Sequence, residues 1–155
     1  VRTIDTIFIH CTAGFGDVGA IRRHWRSVGW KVDGYHFFIY EDGTVIKMNG
    51  LGQVTNGVGG YNAKSVHIAY QGGVDRANVN RAVDTRTKAQ KAAILDTIYQ
   101  VLEELKLTQD ISNIEIKGHR DISPDKNLNG IVDSWERIKD CPSFDAIPEY
   151  SWITV

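Results

Sequence analysis

The segment TKAQKAAILDTIYQVLEELKL, residues 87–107, constrains the fold more than any other stretch of the chain. Thr87 and Gln90 carry the spacing of a capping box, and Ile94, Ile98, Val101, Leu102 and Leu105 recur at helical spacing as one apolar stripe. A helix with one such stripe must bury it against another layer. The remaining apolar residues lie mostly in short alternating runs rich in β-branched and aromatic side chains: TIDTIFIH (3–10), GYHFFIY (34–40), TVIKM (44–48), SVHIAYQGG (65–73) and IEIKGH (114–119). The Asp42-Gly43 turn joins the second and third runs as a hairpin that Tyr35 opens. A shorter helix is expected over DVGAIRRHWRSVGW, with Asp17 as cap, Gly29 as stop and Val18, Ile21, Trp25 and Val28 on one face. Residues 49–64, rich in glycine and asparagine, and the polar stretch 75–84 read as loops. Strands and helices mix without regular βαβ alternation or an internal repeat. The expectation is therefore an α/β single domain over residues 1–155, with a central mixed β-sheet flanked by helices.

With 155 residues and 42% hydrophobic content, the chain can bury a core of its own. Eighteen basic residues against 19 acidic ones give a net charge of −1, and no basic cluster exceeds the pair Arg22 and Arg23, so a nucleic-acid partner is not expected. No apolar run approaches the ~20 residues needed to span a bilayer, and no signal-peptide pattern is visible. The chain starts at Val1 without a methionine, which leaves the export route open. A monomer is expected.

Candidate chemistry concentrates at three positions. His10 ends the first strand, His119 ends the last, and Cys141 follows in a loop. Two imidazoles and a thiolate are ligand types that Zn²⁺ prefers, and three protein ligands leave a fourth position open, as in catalytic sites. Spacing alone leaves other uses open: Cys11 and Cys141 can instead pair as a disulfide, and a histidine can be a buried hydrogen-bonding residue. Strand alternation turns Cys11 away from His10 and His36 away from Tyr35, so Cys11 is expected to pack and His36 to satisfy a buried hydrogen bond.

Between His119 and Cys141 the residues Asp125, Asn127, Asn129, Gly130, Asp133 and Glu136 fit the calcium-loop pattern D-x-[DN]-x-[DN]-G-x5-E. Ligands to Ca²⁺ would be Asp125, Asn127, Asn129, the Ile131 carbonyl, Asp133 and Glu136, and the expected role of this insertion at 121–136 is structural.

FIHCTA (8–13), GYHFFIYEDGTV (34–45), GYNAKSV (60–66), GHRD (118–121) and KDCPSFD (139–145) resemble, in order, the signatures of the zinc-dependent N-acetylmuramoyl-L-alanine amidases, a family that includes amidase-type phage lysozymes and peptidoglycan recognition proteins. The resemblance implies that fold, with His10, His119 and Cys141 as zinc ligands and Tyr35 and Lys139 serving the reaction. It also implies action on the cell wall, by cleavage of the amide between N-acetylmuramic acid and L-alanine of peptidoglycan. A peptidoglycan-binding domain without turnover is the alternative, disfavoured because such relatives typically replace a zinc ligand. Two departures stand out. Many members carry a histidine in the loop before GYN, where this chain reads NGVGGYN, and His67 stands where a glycine is usual.

Overall fold

The computed structural model describes residues 2–123, 126, 128 and 139–153. The calcium-loop pattern, with Asp125, Asn127, Asn129, Ile131, Asp133 and Glu136, lies outside the described residues. The described elements run β1 (Thr6–Cys11), α1 (Val18–Ser27), β2 (Phe37–Ile39), β3 (Val45–Lys47), β4 (Ser65–Tyr70), α2 (Lys88–Lys106), β5 (Glu115–Gly118) and α3 (Ala146–Tyr150), with short 3-10 turns at Asn62–Lys64 and His119–Ile122. They form the expected mixed sheet flanked by helices. Strand order is β3-β2-β4-β1-β5; β1 pairs in parallel with β4 and β5, β2 in parallel with β4, and β2 antiparallel with β3.

The period of two along each strand sorts the side chains between two layers. Ile7, Ile9 and Cys11 of β1, Val66, Ile68 and Tyr70 of β4, and Phe37 and Ile39 of β2 share a core with the α2 stripe of Ile94, Ile98, Val101, Leu102 and Leu105. Burying each such aliphatic side chain contributes about 1.5–3 kcal/mol. The capping box at Thr87 and Gln90 is formed, and buried Gln90 also donates to the carbonyls of Ile39 and Gln71, tying the helix start to the sheet.

On the opposite face, Trp25 of α1 packs with Phe38 and Met48. Asp17 caps α1 by accepting from the Ala20 N–H. Val28 departs from the expected stripe: it is the C-cap, beyond the last helical turn, and it is exposed. Tyr35 likewise precedes its strand, which begins at Phe37.

Among the described residues, no helix is long and apolar enough to cross a membrane.

Candidate active site

Alternation in β1 places Cys11 in the α2 core and turns the neighbouring His10 to the other face. His119 opens the 3-10 turn directly after β5, which lies beside β1. Cys141 returns from a distant part of the chain and is held there by several hydrogen bonds. The Arg120 N–H donates to the Cys141 carbonyl at 2.7 Å, the Cys11 N–H to the Cys141 sulfur at 3.2 Å, and the Ser143 hydroxyl to the Gly73 carbonyl at 2.8 Å. Buried Arg120 also pairs with Asp145. Gly118 permits the close approach, because a Cβ there would lie 2.5 Å from Cδ of Pro142.

His10, His119 and Cys141 thus converge, with one ligand atom from each all within 4.8 Å of one another. The Cys141 sulfur lies 3.7 Å from Nδ1 of His10. Both cysteines are free thiols; Cys11 packs in the core with its sulfur toward the Ser143 hydroxyl. Burial, reinforced by neighbouring His67, His119, Lys139 and His36, pushes His10 well below its ordinary pKa. Burial and then Lys139 lower His119 to about 4. Both imidazoles are therefore neutral at pH 7, the form that ligates a metal. Burial, then Cys11, raises the Cys141 thiol well above its usual range. Two neutral imidazoles and a sulfur at this separation fit a Zn²⁺ centre with an open fourth position.

The three side chains sit in a cleft of about 400 Å³. Tyr35 and Lys139 also line it, as do Trp25 and Trp30, whose rings stack 6.0 Å apart. Tyr35 is half-buried, with its ring 5.2 Å from that of His10 and its hydroxyl donating to the Cys11 carbonyl at 3.4 Å. Its backbone is fixed by Asn49, whose amide donates both to the Tyr35 carbonyl and to Asp33, while Arg22 and Arg26 of α1 grip Asp33. Lys139 is exposed at the rim.

The profile of the N-acetylmuramoyl-L-alanine amidase family matches residues 1–142. The chain belongs to this family. Among the chain's relatives, the endolysin of Klebsiella phage KP32 is 33% identical over 143 residues, covering 90% of this chain and 80% of that protein. The fold is shared with the N-acetylmuramoyl-L-alanine amidase LysC from Clostridium intestinale, at TM-score 0.68 and 21% identity over 96% of this chain and 82% of that one. Bumblebee PGRP-SA superposes at TM-score 0.70 and 21% identity, covering 99% and 84%.

Two residues beside this centre hold no role that spacing or the family signatures assign. His67 of β4 lies against His10, with Nε2 of His10 2.9 Å from Nδ1 of His67, and Asn62 lies behind it, with its Oδ1 2.9 Å from Nε2 of His67. The available signal was His67 itself, a large polar residue where the family pattern has a glycine. His36 is fully buried and turned from the cleft, accepting at Nδ1 from the His67 N–H and donating from Nε2 to the Gln53 carbonyl.

Proposed function

We propose that the chain hydrolyses the amide between N-acetylmuramic acid and L-alanine of peptidoglycan, with one zinc ion held by His10, His119 and Cys141 and with Tyr35 and Lys139 as catalytic residues. The observation that carries this reading is the convergence of two neutral imidazoles and a thiol within 4.8 Å in an open cleft, in a chain of this family. When bound, zinc supplies a Lewis acid for the amide carbonyl and lowers the pKa of water toward neutrality.

The chain's own residues provide orientation and charge. Burial, with the Cys141 and Cys11 sulfurs nearby, raises the Tyr35 hydroxyl well above its ordinary pKa, so it serves as a neutral donor to the substrate carbonyl or to the attacking water. Lys139 brings positive charge to the oxygen on which negative charge develops in the tetrahedral transition state. Trp25 and Trp30 offer apolar surface along the cleft wall for the non-reacting part of the substrate.

Metal analysis of the purified protein, coupled to stem-peptide release from purified sacculi, tests the proposal. The parent should contain about one equivalent of zinc and release peptide, and Cys141→Ser should lose both. Unchanged zinc content and release in that variant would overturn the mechanism, and binding to sacculi without release by the parent would favour the binding-domain alternative.

Binding of Ca²⁺ by the 125–136 segment is a separate proposal that rests on its sequence pattern alone. Calorimetric titration of Ca²⁺ into chelator-treated protein should give heat and raise the melting temperature; absence of both would remove it.

A further inference from the structure

The direction of one partly buried hydrogen-bond chain is set by a backbone amide. The Val58 N–H can only donate, and it points at Oδ1 of Asn62 from 2.8 Å. This fixes the Asn62 amide, because a flipped side chain would set two donors against each other. The same Oδ1 lies 2.9 Å from Nε2 of His67, so that nitrogen must carry a proton and donate it. The His67 ring is fully buried, stacked against Phe8 at 5.6 Å and against His36 at 5.9 Å, and among the described residues no carboxylate hydrogen-bonds to it. A neutral imidazole with its proton on Nε2 has a bare Nδ1, and Nδ1 of His67 faces Nε2 of His10 at 2.9 Å. His10 must then donate from Nε2, and its remaining lone pair lies on Nδ1, the atom 3.7 Å from the Cys141 sulfur.

Space for this chain is made in the adjoining loop. A Cβ on Gly57 would lie 2.4 Å from Nδ1 of His67, so any side chain there would displace the ring. The two departures from the family pattern, a loop without histidine and a histidine in β4, therefore meet in space.

We infer that His67 is a positioning residue for His10: through the series Asn62, His67 and His10 it holds the proton of His10 on Nε2 and presents Nδ1 to the candidate metal centre. This rests on the zinc reading above. A partner that fixes the tautomer and ring orientation of a ligating histidine typically changes metal affinity 10- to 100-fold when removed. The pairing register of β1 with β4 makes the contact possible, because it sets Phe8 opposite His67 and leaves His10 one alternate position further along the same face.

The test has a readout that does not depend on turnover. Nitrogen-15 NMR of metal-free protein labelled at histidine should show His10 with its proton on Nε2 and His67 likewise. In His67→Phe, which keeps the ring stack, His10 should populate both tautomers, and zinc affinity by chelator competition should fall 10- to 100-fold. Asn62→Leu should fall in the same direction, and Asn62→Asp, which retains an acceptor oxygen, should restore affinity to within a few-fold of the parent. Gly57→Ala should weaken zinc by displacing the ring. A His10 proton on Nδ1 in the unmodified metal-free protein, or zinc affinity within twofold of the parent in folded His67→Phe and Asn62→Leu, would overturn the inference. If His67→Phe does not fold, the tautomers of the parent and the pair Asn62→Leu and Asn62→Asp decide it. A parent that binds no zinc at all would overturn the site reading itself, a distinct result from zinc that binds without needing His67.

Discussion

The Tyr70 hydroxyl donates to the Pro142 carbonyl at 2.6 Å, joining β4 to the segment that carries Cys141. Both residues are buried, so Tyr70→Phe leaves a carbonyl with neither water nor this donor. The expected loss is about 1–3 kcal/mol of unfolding free energy, read from urea midpoints. Zinc affinity should fall with it, since the sulfur is held through the same short segment.

Tyr35→Phe and Lys139→Ala remove groups assigned to the transition state without removing a metal ligand. Each should retain zinc and lower kcat by about 10²- to 10³-fold, the size of effect seen when one such donor is deleted. Peptide release from sacculi, normalised to zinc content, measures it. Activity within threefold of the parent would withdraw the assignment for that residue.

Gln90 has three partners. It closes the capping box with Thr87 and reaches the carbonyls of Ile39 and Gln71. Gln90→Ala removes part of the cap and the donor to the Gln71 carbonyl, and should destabilise the fold by about 2–3 kcal/mol with little change in zinc affinity per folded molecule. Chemical denaturation followed by circular dichroism gives the value.

His36, which is not among the candidate metal ligands, gives the fold a pH dependence. Burial first, then the positive charges of Arg2 and Lys47, bring it down to about 4, while the Gln53 carbonyl opposes the shift. In the unfolded chain it returns to about 6.5. Above that pH both states are neutral and His36 contributes no slope. Between about 6.5 and about 4 the unfolded chain binds a proton that the folded state refuses, so stability falls as pH falls, by up to about 1.4 kcal/mol per pH unit; below about 4 this contribution levels off. Urea midpoints across this range, compared with His36→Gln, should show a shallower slope in the variant.

Local pattern made much of the fold legible. The α2 stripe and its capping box, the Asp17 cap and the Asp-Gly hairpin are set by residues within a few positions of one another, where spacing and turn chemistry suffice. Element ends were less legible. Val28 fits the helical period yet lies beyond the last turn, where Gly29 at φ +94° and the Trp30 N–H donating to the Trp25 carbonyl close the helix, and Tyr35 fits the strand run yet precedes it, its carbonyl accepting from the distant Asn49 amide.

Residue identity and strand parity determined by themselves that His10 and Cys11 point to opposite faces and that this chain offers imidazoles and a thiol for a soft cation. Only the tertiary structure decided that the Cys141 sulfur comes within 3.7 Å of His10, and that His67 and Asn62 stand behind that ring. The physical reason is range: a period of two is carried by neighbouring residues, whereas the meeting of β1, β4 and the Cys141 segment depends on parallel strand register and on hydrogen bonds between groups far apart in the chain.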